Sequence, residues 1–240
     1  MGKVFAVGLG PGKADCMTGQ AMKAIEISDK IFGYDTYVGL IRDEFPEKEF
    51  VTTGMGSEKE RCMAALEDAS GGKTVCMVSG GDAGIYGMAG LIEELAFMYE
   101  NVETEVIPGI SAAVSGAAVL GAPLMNDFCV VSLSDHLTPW EMIEKRLTAA
   151  AKGDFVICIY NPMSKQRPGH LKKAADILLK IKPEDTVCGW VKNIGRSGQE
   201  KKLCSLAELR DEKVDMFTTV FVGNSFTKTI SGKMVTLRGY

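Results

Sequence analysis

The chain has 240 residues, of which 46% are hydrophobic and 24% are charged, the usual balance of a globular protein. A net charge of −4 and a pI near 5.4 argue against a nucleic-acid-binding surface. No apolar run approaches the roughly 20 residues of a membrane-spanning helix, so no membrane association is expected. Residues Met1–Val7 resemble a first strand that runs into a glycine loop, rather than a signal peptide.

The numbers and positions of the cysteines and histidines further narrow the class of protein. The seven cysteines are scattered without a CxxC pair, which favours a reducing cytoplasm over a disulfide framework. The only histidines are His136 and His170, so the sequence argues against a zinc site and predicts no metal bound by the protein itself.

The first half of the chain alternates strand-like and helix-like segments. This pattern predicts a doubly wound, mostly parallel sheet with helices on both faces. The predicted strands are Lys3–Val7, Lys30–Phe32, Phe50–Thr52, Thr74–Ser79 and Val102–Ile107. The predicted helices are Thr18–Ser28, Thr36–Arg42, Ser57–Ala69, Gly84–Tyr99 and Ile110–Leu120.

The second half is richer in strands, and short polar turns between the last ones favour antiparallel pairing. The predicted strands are Phe128–Ser134, Phe155–Tyr160, Thr186–Val191, Lys201–Cys204, Met216–Val222 and Lys233–Leu237, with helices at Pro139–Ala151 and Pro168–Ile181. A predicted helix ends at Gly121-Ala-Pro123, and we place the boundary between two domains there. We therefore expect an N-terminal α/β domain, residues 1–121, and a C-terminal mixed-sheet α/β domain, residues 122–240.

The first glycine turn, Gly8-Leu-Gly-Pro-Gly12, follows the first strand but carries no nucleotide fingerprint. A GxGxxG motif would need glycine where Lys13 stands, and a P-loop ending at Lys13 would need glycine where Val7 stands. Two interpretations of this segment remain open: a rigid turn that a ligand can approach closely, and a purely structural turn.

The most informative segment is Ser79–Ala89, which follows the buried strand Thr74–Val78. Four glycines surround Asp82 at the carboxyl end of this strand, where ligands bind in open α/β sheets. Bare backbone would let a ligand lie close, and Asp82 could accept hydrogen bonds from its polar groups. The alternative is a glycine-rich turn in which Asp82 caps a helix.

Two further loops combine structural and functional signals. Pro108-Gly-Ile-Ser111 ends another strand and opens a helix of small residues, which suits close packing or a ligand edge. In the loop after Phe128, Ser132 and Asp135 are candidates to face a ligand, whereas His136 is interpreted as a surface residue. Thr138-Pro-Trp-Glu141 matches a capping box with proline at the first helical position.

Basic residues follow several strands of the second half. Lys165 and Arg167 follow Tyr160-Asn-Pro162, and Arg196 follows the strand Thr186–Val191. Arginine binds carboxylates in a fork, so these loops predict a cationic mouth for a polyanionic small molecule, although a solvated basic loop is the alternative. The polar strand ends Gly223-Asn-Ser225 and Arg238-Gly-Tyr240 are interpreted as further parts of that mouth.

Taken together, these segments resemble the tetrapyrrole methylases, two-domain S-adenosylmethionine (SAM) enzymes of corrinoid and sirohaem synthesis. The GxGPG turn, the glycine loop with Asp82, the Pro-Gly-Ile-Ser-Ala turn and the tyrosine loop at Tyr160 occur in the family's order. Within the family, Gly80–Ala89 resembles the branch that methylates C17 of precorrin-3B or cobalt-precorrin-3. The uroporphyrinogen branch has proline where Ala83 stands.

The resemblance implies that SAM is the methyl donor and lies between the two domains. The implied cofactor residues are Leu9, Pro11, Gly80, Gly81, Asp82, Ile85, Ser111, Ala112, Tyr160 and Asn161. It also implies a carboxylate-rich tetrapyrrole substrate and a homodimer. Chemistry and position, rather than a family motif, make Lys165, Arg167 and Arg196 the substrate-binding candidates.

In this branch, methylation at C17 is coupled to ring contraction in cobalamin biosynthesis. Asp135 and Lys165 are the catalytic candidates for the contraction step. Cobalt is expected only as part of the substrate, and the cysteine content leans toward an anaerobic route in which cobalt enters early. The alternatives are another methylase of this fold, acting at a different corrin carbon or in diphthine synthesis, a SAM- or nucleotide-binding regulatory module without chemistry, and a dinucleotide oxidoreductase, which Lys13 disfavours.

Overall fold

The computed structural model describes residues 1–239 and divides the chain into two compact units, the first Met1–Ala112 and the second beginning at Ala113. Each unit is described by itself. The strands of the first unit are β1 (Gly2–Gly8), β2 (Lys30–Tyr34), β3 (Glu49–Thr53), β4 (Thr74–Ser79) and β5 (Val102–Ile107). Its helices are α1 (Gly19–Glu26), α2 (Asp35–Val38), α3 (Glu58–Ser70) and α4 (Ala89–Ala96).

The first unit is the predicted doubly wound parallel sheet. Its strand order is β3-β2-β4-β1-β5, and every neighbouring pair is parallel. Successive side chains of a strand point to opposite faces, so Val4 and Phe5 enter different cores. Val4 packs with α3 and α4, whereas Phe5 packs with α1 and α2. All five carboxyl ends therefore lie at one edge of the sheet, where the glycine loops begin.

The second unit begins with α5 (Ala112–Leu120), whose first residue is the last residue of the first unit. Its strands are β6 (Gly121–Ala122), β7 (Phe128–Ser132), β8 (Val156–Tyr160), β9 (Val187–Lys192), β10 (Glu200–Ser205), β11 (Thr218–Val222), β12 (Thr227–Ile230) and β13 (Lys233–Thr236). Its remaining helices are α6 (Trp140–Lys152), α7 (His170–Leu178) and α8 (Leu206–Leu209).

The main sheet of the second unit is mixed, as predicted. Its order is β10-β9-β11-β8-β7, with β7 and β8 parallel and the other pairs antiparallel. Helices α6, α7 and α8 cover one face. On the other face α5 approaches so closely that a Cβ on Gly116 would lie 2.9 Å from the Phe221 ring. Strands β12, β13 and β6 form a small second sheet.

The pairing directions correct one prediction about the strand ends. Strand β11 is antiparallel to β8 and β9, so Gly223-Asn-Ser225 follows it at the edge where β8 begins. Ser225 accordingly donates its amide to Asp154, two residues before β8. Gly223–Ser225 is therefore not part of a mouth formed with Tyr160 and Arg196, which follow the opposite ends of the strands. Tyr240 lies outside the described residues.

Some predicted helix bounds were wrong for local reasons. The helix predicted from Gly84 begins only at Ala89, because residues before it form a turn in which Tyr86 has a left-handed φ of 56°. The helix predicted at Thr36–Arg42 is a single turn. Helix α6 begins at Trp140 after Pro139, without a side-chain cap, so the capping box of Thr138 and Glu141 does not form. Strand β12 was not predicted.

Within residues 1–239, no helix combines the length and the apolar character needed to cross a membrane.

Candidate active site

Three turns meet at the carboxyl edge of the first sheet, after β1, β4 and β5. Gly10 and Gly81 exchange both backbone hydrogen bonds, with N···O distances of 2.9 and 2.8 Å. Leu9 donates its amide to the Ser79 carbonyl, which extends the β1–β4 pairing into the turn. The first two turns thus continue the sheet beyond its regular end and present main chain at its edge.

The three turns can approach this closely only because each contributes a glycine. A Cβ on Gly109 would lie 2.2 Å from the Gly81 carbonyl oxygen, and one on Gly8 would lie 2.6 Å from the Gly109 nitrogen. Both clashes are with main chain, which cannot move aside as a flexible side chain can. These glycines therefore serve the packing of turn against turn.

Asp82 ties two of these turns together. Its Oδ2 accepts hydrogen bonds from the amides of Gly84 and Ile85, at 2.8 and 3.1 Å. Its Oδ1 accepts the amide of Gly109 at 3.0 Å. The carboxylate thus holds the loop after β4 in shape and does not cap a helix, because α4 begins only at Ala89.

The same loop exposes apolar side chains. Ile85 and Tyr86 are exposed, and Tyr86 has a positive φ, which is uncommon for a bulky residue and is concentrated at functional sites. On the other side of the loop, the Tyr37 ring packs on Gly80, where a Cβ would lie 2.5 Å from a ring carbon. The loop after β4 therefore combines glycine main chain with exposed apolar side chains.

The other predicted cofactor residues of the first unit differ in accessibility. Leu9 has no exposed surface and belongs to the core beneath the turn, so it supports the turn from below. Ser111 is also buried, whereas Pro11 and Ala112 are half-buried. The structure brings Gly81 and Asp82 together with the Gly109 turn that precedes Ser111.

In the second unit, Tyr160 ends β8 and Asn161 follows it, and both side chains make hydrogen bonds to neighbouring elements. Tyr160 Oη accepts the Ala113 amide at 2.8 Å, in the first turn of α5. Asn161 has a left-handed φ of 52° and donates its side-chain amide to Ser132 Oγ at 2.9 Å. These bonds join the end of β8 to α5 and to the end of β7.

Asp135 lies in a cluster with a histidine and an arginine. His170 Nε2 lies 2.9 Å from Asp135 Oδ2, and Arg167 Nη1 lies 4.0 Å from Asp135 Oδ1. The hydrogen bond from His170, reinforced by the charge of Arg167, lowers the pKa of the Asp135 carboxyl below its usual value. Arg167 Nε donates to Ser164, while its buried Nη1 has no hydrogen-bond partner.

The remaining cationic candidates follow the same edge of the second sheet. Strands β7, β8 and β9 all run toward it, so the loops that carry Asp135, Lys165 and Arg196 begin there. Lys165 is exposed, and Arg196 is half-buried in a turn closed by its amide to the Asn193 carbonyl. Among residues 1–239, no group of three or more potential metal-ligating side chains is present.

Comparison with known proteins settles the family. The family model described as Tetrapyrrole (Corrin/Porphyrin) Methylases matches residues 3–210. The chain belongs to the tetrapyrrole methylases.

Individual relatives of this tetrapyrrole methylase match over nearly its whole length. It is 48% identical to the probable cobalt-factor III C(17)-methyltransferase of Salmonella typhimurium, covering 98% of each chain. It is 36% identical to the precorrin-3B C(17)-methyltransferase of a Sinorhizobium species, covering 95% of this chain and 91% of that one. The crystal structure of the methyltransferase CobJ superposes with a TM-score of 0.90 at 35% identity, over 99% of this chain and 100% of that one.

Sequence reasoning missed His170 in this tetrapyrrole methylase. His170 stands 35 residues from Asp135, and no local pattern links them. The available signal was its rarity, since it is one of two histidines and follows the basic loop by three residues. His136, interpreted as a surface residue, is exposed.

Proposed function

We propose that this tetrapyrrole methylase transfers a methyl group from SAM to C17 of a precorrin-3-type tetrapyrrole, with coupled ring contraction, in cobalamin biosynthesis. The observation that carries the proposal is the full-length identity of 48% and 36% to proteins named as C(17)-methyltransferases. The matches cover both units, and thus both sets of loops described above.

We assign the SAM contacts to the loops at the carboxyl edge of the first sheet and to the end of β8. The exposed Ile85 and Tyr86, in the same loop as the main chain of Gly81, fit a ligand that carries both an apolar ring and a polar chain. Asp82 acts by holding the amides of Gly84, Ile85 and Gly109 in place. The remaining proposed contacts are Pro11, Ser111, Ala112, Tyr160 and Asn161, with Leu9 supporting the turn from the core.

The methyl donor, when bound, supplies a sulfonium whose methyl group is already activated. The protein's part is then to align donor and acceptor carbon and to exclude water, which lowers the barrier through orientation. The rigid junction of the Gly8, Gly81 and Gly109 turns suits this task, because it holds backbone groups without side-chain freedom.

Substrate recognition is assigned to the basic loops of the second unit. Lys165, Arg167 and Arg196 lie on loops that begin at one edge of the sheet, and cations there suit the peripheral carboxylates of a tetrapyrrole. Asp135 and Lys165 are the groups proposed for the contraction step. The lowered pKa of Asp135 keeps its carboxyl ionised, so it serves as a fixed anion that stabilises positive charge on the methylated macrocycle.

Cobalt is proposed as a component of the substrate. The relatives named for cobalt-factor III are 41–48% identical to this chain, against 36% for the protein named for precorrin-3B. This order favours a substrate that already holds cobalt, and hence the anaerobic route.

The test is an anaerobic incubation with methyl-labelled SAM and a C20-methylated tetrapyrrole, with and without cobalt, followed by mass spectrometry. One labelled methyl on a ring-contracted product is expected, with preference for the cobalt form. Tight SAM binding without label transfer would contradict the proposal and favour a regulatory module. Transfer only to other acceptors would favour another methylase of this fold.

Three further expectations accompany the proposed function. The resemblance to the family predicts a homodimer, which sedimentation velocity measures, and the cysteine content predicts a cytoplasmic location, which cell fractionation measures. The prediction that nucleic acid is not a partner rests on the acidic charge balance.

A further inference from the structure

We propose that His170 is a positioning residue for the contraction step, because it holds the Asp135 carboxylate in the one orientation that the step requires. This inference rests on the proposed function and extends it to a side chain that no sequence motif marks.

The imidazole of His170 is itself fixed on two sides. His170 is the first residue of α7 and is only 8% exposed. Its ring meets the Trp140 ring edge-on, with centroids 5.0 Å apart and an interplanar angle of 82°. Trp140 begins α6 and lies under Lys173, whose Nζ is 5.4 Å from the ring centroid. Two helix starts therefore set the direction in which Nε2 points.

Asp135, by contrast, needs an external support. Its side chain is 37% exposed, and it lies in a loop rather than on a regular element. A carboxylate in such a place would sample several rotamers in the absence of a partner. The 2.9 Å hydrogen bond between Nε2 and Oδ2 selects one of them and turns Oδ1 toward Arg167.

Arg167 supplies the second observation. Its buried Nη1 lies 4.0 Å from Asp135 Oδ1, beyond hydrogen-bond length, and has no other hydrogen-bond partner. An unsatisfied charged donor in a buried place costs free energy and therefore calls for an explanation, which a bound substrate carboxylate would provide. His170 thus holds the carboxylate beside a guanidinium without letting the ion pair close. Oδ1 and the cation remain poised for substrate.

Three substitutions separate positioning from simple structural support. His170→Phe keeps a ring against Trp140 but removes the hydrogen bond. His170→Gln restores an amide donor near the position of Nε2 without the ability to become charged. His136→Phe is the matched control, because His136 is the exposed neighbour of Asp135.

The readouts are the ratio of ring-contracted to merely methylated product, the thermal midpoint, and the Asp135 carboxyl titration followed by ¹³C NMR. In His170→Phe the ratio is expected to fall about tenfold, the effect of losing one charged hydrogen bond. The Asp135 pKa is expected to rise, since its partners His170 and Arg167 both favour the ionised form. His170→Gln is expected to restore most of the ratio, and His136→Phe to leave it unchanged.

Each outcome is decisive. An unchanged ratio in folded His170→Phe, beside an active wild type, would overturn the role of His170 and leave the proposed function intact. Equal losses of methylation, contraction and thermal midpoint in both His170 variants would assign His170 a structural role and also overturn it. A wild type that yields no labelled product would refute the proposed function, and this inference with it.

Discussion

The amide of Gly109 donates a hydrogen bond of 3.0 Å to Asp82 Oδ1, so that one carboxylate joins the loop after β4 to the turn after β5. The same side chain accepts the amides of Gly84 and Ile85 through its other oxygen. Asp82 thus shapes the main-chain surface of these two turns, and it can do so without touching a ligand.

Replacing Asp82 by alanine is expected to weaken SAM binding on the order of tenfold and to lower the free energy of unfolding by about 1–3 kcal/mol, because three amides lose their acceptor. Calorimetric titration with SAM and urea unfolding measure the two effects. Asp29→Ala is the matched control, since Asp29 accepts the Thr74 amide at the other edge of the sheet. If Asp29→Ala weakened SAM binding equally, general loosening of the unit would explain both variants.

Gly109→Ala is expected to lower the free energy of unfolding by about 1–3 kcal/mol, because the new Cβ would meet the Gly81 carbonyl oxygen at 2.2 Å. Gly90→Ala is the control: it lies in α4, and its Cβ would meet nothing within 4 Å. Alanine there is expected to stabilise the helix by about 0.5–1 kcal/mol. Urea unfolding of both variants measures the contrast, and wild-type stability in Gly109→Ala would contradict the packing described here.

Tyr160→Phe is expected to lower the free energy of unfolding by about 1 kcal/mol, because the buried Ala113 residue would lose the acceptor of its amide. Amide hydrogen exchange at Ala113 provides a local measurement, and its protection is expected to fall. Unchanged exchange at Ala113 would show that the phenol does not hold the first turn of α5.

Asp154→Asn is expected to lower the free energy of unfolding by about 1 kcal/mol. Lys182 is only 5% exposed at its side chain and lies 3.2 Å from Asp154, so the substitution leaves a buried cation without its counter-ion. Asparagine tolerates the positive φ of 53° at this position. Asp176→Asn, which breaks an exposed ion pair with Arg210, is the control and is expected to cost less.

The contribution of the Asp154 carboxyl to the free energy of unfolding depends on pH. Burial raises the pKa of Asp154, but hydrogen bonds from Ser225 and Lys182 outweigh it and hold the pKa below the ordinary value. Its contribution is therefore present above the unfolded-state pKa of about 3.9 and is lost as the pH falls through the lower, folded value. Thermal midpoints below pH 4 are expected to fall less steeply in Asp154→Asn than in wild type, and parallel curves would contradict this.

Local patterns were sufficient to predict most of the long strands and helices, although not β12. Strands β1 and β4 contain continuous apolar runs, and the predicted Thr74–Ser79 and Val102–Ile107 coincide with β4 and β5. The predicted starts of helices were less accurate where side chains form hydrogen bonds to the backbone. The amides of Gly84 and Ile85 bond to Asp82, so the chain turns instead of entering a helix there.

The amino-acid sequence by itself determined the alternation of elements, the glycine turns and the basic loops, because each depends on residues close together in the chain. Only the tertiary structure decided that Asp135 meets His170, that Gly109 meets Asp82, and that Gly223–Ser225 lies away from the basic loops. The first two pairs span 35 and 27 residues. The third depends on the direction in which β11 enters its sheet. Such relationships arise from strand order and pairing direction, which no local pattern of hydrophobicity or turn residues encodes.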